Sequence, residues 1–418
     1  MKMRWNIYLL LIVTVEMDSR VTKLRESFII NSSCVTIGKE KVGAGNFADV
    51  YKGILRQNKI EKEVAVKVVR YGGGNTDNEL HCLSEMSNEA LIMSLHKHKG
   101  IIEFLGVSID KIPMIIMEYC VGGSLDLHLQ RFKEHIRTAE RIRYLLEISN
   151  GMRYLERKQC VHRDLATRNV LIAADGFLRI CDFGLSRCPS IVPPKETGNS
   201  HIPIRWMAPE SLTRNPIYST KSDMWSFGVV IYETFNCGLK PWPEKPVKWI
   251  ATKIRKGITP ELPKRIPRLL RELIIACFQR DPTRRPSFKH MSGRLLLIQS
   301  LRFPSPDPRL LTLSQIKNVV PTAPIEEKDS EAICIEFDEK LNEQSIVISY
   351  APRSIIQAGG NFEKEAADHS KEDDWGEVQE LSMVVSGKVK GSIICSLLLF
   401  VFKDSILFKG IHRNQKKE

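Results

Sequence analysis

The sequence lacks the features that mark small disulfide-bonded or zinc-binding proteins. Its ten cysteines are scattered, and no two of them stand in a C-x-x-C pair. This spacing suggests neither a disulfide framework nor a zinc site. Free cysteines are typical of proteins kept in a reducing environment, so we expect a cytosolic setting. The sequence also shows no internal repeat.

The sequence also lacks a hydrophobic run long enough to cross a bilayer, for which a helix needs about 20 residues. The run Ile7–Val15 has nine residues and follows the basic segment Met1–Arg4. It predicts either a short or truncated membrane anchor or an ordinary apolar helix or strand packed on the fold. A second run, Ile393–Phe402, ends at Lys403 and is predicted to be buried rather than to span a membrane.

The charge is unevenly distributed. The net formal charge is +13, yet acidic residues outnumber basic ones after Leu301. The basic part could favour an anionic nucleotide, acidic peptides or an anionic lipid surface. A solvated basic surface with no particular partner is the alternative.

The order of the predicted elements indicates an α+β fold with two lobes. Strands come first and helices dominate after Ser211, which predicts a small β-rich N-lobe and a larger helical C-lobe. We predict a hairpin over Val42–Ile54, strands over Glu63–Val69 and Ile115–Tyr119, and helices over Asn78–His96 and Thr138–Tyr154. The predicted divisions are a short N-terminal segment (1–33), a folded domain (34–301) and a mostly disordered, proline-interrupted tail (302–418).

The segment Val161–Leu171 carries the clearest chemical signature. It reads VHRDLATRNVL and places His162, Arg163, Asp164 and Asn169 at the spacing H-R-D-x-x-x-x-N. Thirteen residues after Asn169 comes the triplet DFG, which begins at Asp182. This order suits phosphoryl transfer, in which one Asp accepts a hydroxyl proton while an Asn and a second Asp hold Mg²⁺.

Upstream motifs predict a site for ATP. The segment Lys41–Gly53 reads KVGAGNFADVYKG, and its glycines allow the backbone to approach phosphates closely. The usual third glycine is replaced by Ala48. In the strand VAVK, Lys67 is expected to meet the α- and β-phosphates and a helix carboxylate, for which Glu89 is the best candidate and Glu85 a competitor.

The segment Met114–Leu125, MIIMEYCVGGSL, fits a strand that runs into a hinge between the lobes. Its backbone from Glu118 to Cys120 is expected to bond the adenine edge, with Met117 controlling access to a rear pocket. The predicted nucleotide-binding residues are Gly43, Ala44, Gly45, Val50, Ala65, Lys67, Glu89, Met117, Glu118, Cys120 and Leu171.

Together these motifs make residues from about Val35 to Ile298 resemble the catalytic domain of protein kinases, and of tyrosine kinases in particular. HRDLATRN, with Ala166 and Arg168, resembles the HRDLAxRN of tyrosine kinases, and IPIRWMAPESL (202–212) resembles their substrate-binding segment, in which Pro203 and Trp206 shape a seat for a phenol ring. The resemblance implies catalytic roles for Asp164, Lys67 and Arg168 and Mg²⁺ ligation by Asn169 and Asp182.

The resemblance also implies structural roles. Asp223 is expected to hold the backbone of the segment HRDLATRN (162–169), the catalytic loop, and Arg285 is expected to pair with Glu210. His162 and Phe183 are expected to be packing elements rather than chemical groups. The usual Trp after Cys277 is Phe278, a mild departure from the family pattern.

A stronger departure is that no tyrosine lies between Asp182 and Glu210. Many tyrosine kinases are activated by phosphorylation of a tyrosine in this segment, and Arg163 would receive that phosphate. We hypothesise that Glu196 partly replaces the phosphate, or that a hydroxyl residue of the segment is phosphorylated by another kinase. The candidates are Ser186, Ser190, Thr197 and Ser200.

The expected cofactors are ATP and Mg²⁺, and the expected partners are protein substrates that carry tyrosine; no nucleic-acid partner is predicted. A location in the cytoplasm or at the cytosolic face of the plasma membrane follows, because export would separate the enzyme from ATP. A pseudokinase scaffold and a dual-specificity or serine/threonine kinase are the alternatives. The catalytic set is complete, which favours activity, while Ala166, Arg168 and Trp206 favour tyrosine. The subfamily, receptor or non-receptor, stays open.

Overall fold

The computed structural model describes residues 28–44, 48–70, 76–108, 112–188, 203–303, 345–348 and 381–384. The chain divides into two compact units, Met1–Glu327 and Lys328–Glu418. In the second unit, strands β8 (Ser345–Ile348) and β9 (Leu381–Val384) form an antiparallel pair. The disorder predicted for residues 302–418 stays a prediction, because most of these residues lie outside the described ranges.

Among the described residues, an antiparallel five-stranded sheet and one helix form the N-lobe. The strand order is β1-β2-β3-β5-β4. The strands are β1 (Val35–Ala44), β2 (Ala48–Gln57), β3 (Ile60–Val69), β4 (Phe104–Ser108) and β5 (Met114–Glu118), and helix α1 covers Thr76–Ser94. The tight connection between β2 and β3 uses Asn58 and Lys59, both at positive φ, a conformation that short polar side chains tolerate better than branched ones.

The centre of the sheet, in the second half of β3 and in β5, is buried on both faces, and the two-residue period of a strand sorts the side chains between them. Val64 and Val66 of β3 lie in one cluster, together with Ile116 of β5. Ala65 and Val69 lie in the main core on the other face. Lys67 shares the parity of Ala65 and Val69, so its side chain leaves β3 on the face toward α1 and the interlobe cleft.

In the part of the C-lobe that the structure describes, six helices and a short two-stranded sheet dominate. They are α2 (Leu125–Phe132), α3 (Thr138–Arg157), α4 (Thr220–Phe235), α5 (Val247–Arg255), α6 (Arg268–Cys277) and α7 (Phe288–Leu301), with β6 (Val170–Ile172) paired to β7 (Leu178–Ile180). Helix α4 is buried almost all round, as expected for a central helix of a large core. A capping box between Ser219 and Ser222 begins it by satisfying two otherwise unpaired N–H groups.

The predicted α+β, two-lobed architecture is confirmed. The predicted strands and helices are present with ends shifted by up to three residues, and the predicted hairpin corresponds to β1 and β2, although β1 begins seven residues before Val42. Strands β4, β6 and β7 were not predicted. Strands β6 and β7 have three residues each, too few to establish a period, and β4 has Gly106 at the centre of its five residues, which weakens its strand pattern. Within the described residues, no helix is both long and apolar enough to span a membrane. The apolar runs Ile7–Val15 and Ile393–Phe402 lie outside those residues.

Candidate active site

Lys67 is the centre of an ion-pair cluster between the sheet and α1. Its Nζ lies 2.6 Å from Oε1 and 2.8 Å from Oε2 of Glu89, and 3.4 Å from Oδ1 of Asp182. Glu85, one helical turn before Glu89 on α1, does not compete for the lysine. Its carboxylate lies 4.0 Å from the Arg187 guanidinium instead. The Lys67–Glu89 pair expected from the sequence is therefore present.

The electrostatics of this cluster suit a phosphate-binding cation. Burial alone would lower the pKa of Lys67, but the carboxylates of Glu89 and Asp182 outweigh burial and raise it above its usual value. The charge of Lys67 in turn lowers the pKa of Asp182, despite the opposing effect of burial. Both groups are thus charged at neutral pH. The Asp182 side chain remains 43% exposed, which leaves it open to a ligand.

The glycine-containing hairpin, β1 and β2, lies beside β3, the strand that carries Lys67. Gly43 of β1 is opposite Val50 of β2, and Val50 is in turn opposite Lys67 of β3. A Cβ on Gly43 would make ordinary van der Waals contact with the Val50 side chain, at 3.5 Å, so packing of the two strands does not itself require glycine here. Ala44 is the last residue of β1, and Gly45 lies outside the described residues.

The predicted adenine-binding residues lie on both sides of the hinge. Ala65 of β3 is opposite Met117 of β5, and both are buried. Leu171 of β6 forms a bridge with Ser124, just after the hinge. The N–H of Glu118 donates to the Glu103 carbonyl at 2.9 Å. That N–H is therefore engaged within the fold, and a purine would have to use other hinge groups.

Cys120 is the third hinge residue of the predicted nucleotide site. Its side chain is buried, and burial raises the pKa of its thiol well above the usual value. Its carbonyl accepts a hydrogen bond from the N–H of Gly123 at 3.1 Å. The thiol is therefore a packing group rather than a nucleophile.

Asp164 is held by two neighbours in the catalytic loop. The Arg168 guanidinium donates to its Oδ1, and Asn169 Nδ2 donates to its Oδ2 at 2.8 Å. Because the amide nitrogen of Asn169 is used in this way, its oxygen is the atom left for a metal ion. Burial raises the pKa of Asp164 to about 6, against the lowering effect of the Arg168 charge. Asp164 is thus mostly ionised at neutral pH and basic enough to accept a proton.

Asn169 and Asp182 lie side by side. The N–H of Cys181 donates to the Asn169 carbonyl at 3.0 Å, which joins the end of the catalytic loop to the residue before Asp182. Asp182 itself has φ +64°, a left-handed conformation that is rare for residues other than glycine. Strained backbone of this kind is typical of functional sites.

Asp223 of α4 fixes the start of the catalytic loop, as the sequence led us to expect. Its two carboxylate oxygens accept the N–H groups of His162 at 2.8 Å and Arg163 at 2.9 Å. Arg163 has φ +69°, so these two hydrogen bonds hold a conformation that the chain alone disfavours. Burial raises the pKa of Asp223 to about 7, against the effect of its hydrogen bonds.

His162 and Phe183 are packing elements. The two rings lie 5.2 Å apart, and both side chains are fully buried. Burial lowers the pKa of His162 to about 4, so the imidazole is neutral at physiological pH. Its Nε2 contacts the Cys181 carbonyl at 3.1 Å. A neutral ring hydrogen-bonded inside the core is suited to positioning rather than to proton transfer.

Two arginines of the loop also lie on aromatic rings. The Arg168 guanidinium lies 4.2 Å from the centre of the Trp206 ring, and that of Arg163 lies 3.7 Å from the Tyr218 ring. The Arg168 contact joins Asp164 to the segment that the sequence assigns to substrate binding. A stacked guanidinium keeps its in-plane donors free, so Arg168 can hold Asp164 at the same time.

One candidate phosphorylation site in the segment between Asp182 and Glu210 can be corrected. Ser186 is fully buried, and its hydroxyl donates to the His162 carbonyl at 3.1 Å, so it is a structural residue and not an open phosphorylation site. The other residues of that hypothesis lie outside the described ranges: Ser190, Glu196, Thr197 and Ser200.

The Arg285–Glu210 pair expected from the sequence is present and bidentate, with N–O distances of 2.6 and 2.8 Å. Arg285 is fully buried there. The sequence reasoning missed Glu233, which is buried in α4 and accepts the N–H of Thr167 at 3.0 Å. Its signal was weak, because a single Glu in an apolar helix gives no hint of its partner.

Comparison with known proteins agrees with this geometry. The family described as "Protein tyrosine and serine/threonine kinase" matches residues 36–295. The tyrosine-protein kinase Fer of Mus musculus is 32% identical over 277 residues, which are 66% of this chain and 32% of Fer. The transforming protein Fps of avian sarcoma virus (strain PRCII), a tyrosine-protein kinase, is 35% identical over 278 residues, which are 66% of this chain and 50% of Fps.

A third relative, the tyrosine-protein kinase csk-1 of Caenorhabditis elegans, is 32% identical over 290 residues, which are 69% of this chain and 51% of csk-1. The chain thus spans between a third and a half of the length of these relatives. The family match covers more than half of the chain and contains every motif of the site described above. The chain therefore belongs to the protein tyrosine and serine/threonine kinase family.

Proposed function

We propose that this chain is an active protein tyrosine kinase that transfers the γ-phosphate of ATP to tyrosine hydroxyls of protein substrates in signalling. The observation that carries the proposal is the arrangement around Asp164. Its carboxylate is positioned by Arg168 and Asn169, and Arg168 also stacks on Trp206. The proton acceptor is thereby coupled to the segment that would seat a phenol ring.

The residues fit Mg²⁺ and ATP. Asp182 offers an accessible carboxylate and Asn169 an amide oxygen, and hard oxygen donors are the ligands that Mg²⁺ prefers. When bound, Mg²⁺ neutralises charge on the phosphates. Lys67, held by Glu89, would orient the α- and β-phosphates, and Asp164 would orient the substrate hydroxyl and take its proton.

The tyrosine preference has its own support. Arg168 and Ala166 stand where kinases of other specificity usually carry different residues. The guanidinium occupies the space beside Asp164, in contact with Trp206. The named relatives are tyrosine-protein kinases at 32% and 35% identity, which supports the same preference.

The test is transfer of labelled γ-phosphate by the purified full chain with Mg²⁺ and ATP. Acceptors are a poly-Glu-Tyr polymer and matched peptides in which Tyr is replaced by Ser or Thr. We expect labelling of the Tyr acceptors alone, and a loss of at least 100-fold in Asp164→Asn, which keeps the side-chain size but removes the base.

Each alternative has its own outcome. Labelling of Ser or Thr peptides would indicate a dual-specificity kinase. Nucleotide binding without transfer to any acceptor would indicate a pseudokinase, provided that the protein had first been treated with a Ser/Thr kinase to supply a missing activating phosphate.

The proposal includes a location in the cytoplasm or at the cytosolic face of the plasma membrane, because the reaction needs ATP. The short N-terminal run Ile7–Val15 would supply any membrane association. Partition of the full chain and of a variant without residues 1–27 between vesicles and buffer tests this part.

A further inference from the structure

Three soft donor side chains meet in the core outside the phosphoryl-transfer site. They are His96, Cys160 and Cys188, all buried, and one donor atom from each lies within 4.8 Å of the others. His96 follows α1, Cys160 precedes the catalytic loop by two residues, and Cys188 comes six residues after Asp182. None of the three takes part in the chemistry proposed above.

The backbone holds the two cysteines opposite each other. Val161 and Arg187 form an antiparallel bridge in which each N–H donates to the other's carbonyl at 2.9 Å. Cys160 and Cys188 are the next residues outward, so they form a non-hydrogen-bonded pair, the arrangement in which facing side chains come closest. The N–H of Cys160 also donates to the Leu155 carbonyl at 2.9 Å, which fixes its position further.

His96 completes a third side of the cluster. Its Nε2 lies 3.8 Å from the sulfur of Cys188. Its ring packs edge-on against the Tyr154 ring, with 5.7 Å between ring centres. It also packs against the tilted Phe183 ring, whose centre lies 6.1 Å away. The backbone N–H of His96 donates to the Met93 carbonyl at 3.1 Å, so the residue is anchored to the end of α1.

The spacing of these donors matches three of the four ligand positions of a tetrahedral metal site, and a water molecule would take the fourth. With metal–sulfur bonds of about 2.3 Å and metal–nitrogen bonds of about 2.0–2.1 Å, neighbouring ligand atoms lie about 3.5–3.8 Å apart. The observed Nε2–sulfur separation of 3.8 Å exceeds the nitrogen–sulfur value, about 3.5–3.6 Å, by about 0.2–0.3 Å, and the 4.8 Å limit leaves less than about 1.5 Å to close. Changes in the χ angles of these side chains would have to close this gap.

The chemistry of the donors selects the ion. Two thiolates and one imidazole favour Zn²⁺ and other soft or borderline cations over Mg²⁺, which prefers oxygen. On binding, each thiol gives up its proton to solvent and forms a sulfur–metal bond. The two negative charges then balance the two positive ones, so the buried site carries no net charge.

We propose that His96, Cys160 and Cys188 form a binding site for Zn²⁺. The ion would join the end of α1 to the start of the catalytic loop and to the segment after Asp182. These are the segments that carry Glu89, Asp164 and Asp182, so the ion would stabilise their assembled arrangement. The site is separate from that of Mg²⁺-ATP and does not depend on catalytic activity.

The experiment uses the reduced, metal-free full chain in excess Mg²⁺, which occupies oxygen-donor sites. Co²⁺ serves as a spectroscopic probe and is then displaced by Zn²⁺. We expect thiolate-to-cobalt charge-transfer absorption that saturates at one Co²⁺ per chain and disappears on addition of one equivalent of Zn²⁺. Zn²⁺ should also raise the Tm of the wild-type protein.

Variants assign the ligands. Cys160→Ser and Cys188→Ser should each lose most of the charge-transfer absorption and the Zn²⁺-dependent rise in Tm. Cys277→Ser is the matched control, because Cys277 is equally buried but belongs to α6, and it should keep both. X-ray absorption of the zinc-loaded wild-type protein needs no variant, and it should show two sulfur neighbours and at least one nitrogen neighbour.

Three results would overturn the proposal. The first is the absence of charge-transfer absorption in the reduced wild-type protein. The second is absorption that survives the double substitution of Cys160 and Cys188, which would place the metal on other cysteines. The third is a metal shell that holds no sulfur. A Cys160–Cys188 disulfide that forms under mild oxidation in a protein that takes up no metal would identify the pair as a redox couple instead.

Discussion

Single side chains in this active site have protonation states that follow from burial and neighbouring charge. Lys67 and Asp182 reinforce each other's charge, whereas His162 loses its proton because it is enclosed. Asp164 lies between these cases, since burial opposes ionisation while Arg168 and Asn169 support it. The acid side of the pH–rate profile should therefore report on Asp164.

We expect kcat to fall as the pH drops through about 6, the pKa of Asp164. The raised pKa means that Asp164 takes up a proton within this range and can no longer accept one from the substrate. Each further pH unit should reduce kcat by about tenfold. Rates measured from pH 5 to pH 8 at saturating ATP and substrate check this, with circular dichroism as a control for folding. A rate that stays constant down to pH 5 would contradict the role of Asp164.

Whole elements act on the site through the backbone. Helix α4 has no residue in the predicted nucleotide site, yet its Asp223 and Glu233 accept N–H groups from the catalytic loop. A buried N–H without a partner costs about 1–3 kcal/mol, so α4 fixes the loop by satisfying groups that have no local acceptor. The position of the Asp164 carboxylate thus depends on a helix about 60 residues further along the chain.

Asp223→Ala should lower both stability and activity. It leaves the N–H groups of His162 and Arg163 without their acceptor, which should cost about 2–4 kcal/mol, and it should lower kcat by at least tenfold with a smaller effect on KM for ATP. Thr234→Ala is the matched control on α4, because the Thr234 hydroxyl bonds only within the helix, to the Val230 carbonyl at 2.8 Å. Steady-state kinetics of both variants measure kcat and KM, and chemical denaturation measures their free energies of unfolding. Equal kcat in the two would remove the positioning role.

The ion pair between Glu210 and Arg285 should be far more important to stability than exposed pairs. Glu210→Ala leaves a fully buried guanidinium without its carboxylate, which should cost about 3–5 kcal/mol. Glu134→Ala removes the partner of Arg265 at a site where both side chains are more than 40% exposed, and should cost about 0.2–1 kcal/mol. Denaturation midpoints of the two variants test the contrast. Similar losses would show that burial does not decide the effect.

At the level of the whole kinase domain, the predicted nucleotide site draws on both lobes. Lys67 comes from the sheet and Asp182 from the C-lobe, and they approach to 3.4 Å. A bound nucleotide would contact both lobes and so favour the folded, assembled domain over the unfolded chain.

Mg²⁺-ADP at about 100 times its Kd should therefore stabilise the protein by about 2.7 kcal/mol, which corresponds to a rise in Tm of about 5–10 °C. Asp182→Asn should lose the part of the rise that depends on Mg²⁺ and keep the part seen with ADP alone. Thermal denaturation of the full chain with ADP, with and without Mg²⁺, measures both. An Mg²⁺ effect that is unchanged in the variant would remove Asp182 from the metal site.

Much of the fold and the candidate site could be predicted because they depend on local patterns. The alternation in β3 places Ala65, Lys67 and Val69 on one face, and the motif H-R-D-x-x-x-x-N places Asp164 and Asn169 within one loop. Local patterns alone do not predict contacts between distant segments. The Arg285–Glu210 pair and the hold of Asp223 on the catalytic loop were expected from the family resemblance instead. The choice between Glu85 and Glu89 depended on where α1 lies against the sheet, and the burial of Ser186 depended on the path of the segment after Asp182.

The residue types and their spacing were enough to specify an α+β kinase domain and its chemical groups, because periodicity and motif order are properties of the chain. The partners of those groups depended on packing, because the acceptor of an N–H or the environment of a carboxylate is set by whatever lies next to it in space. The cysteines illustrate the difference. Their spacing in the sequence suggested no zinc site, but the bridge between Val161 and Arg187 brings Cys160 and Cys188 together beside His96.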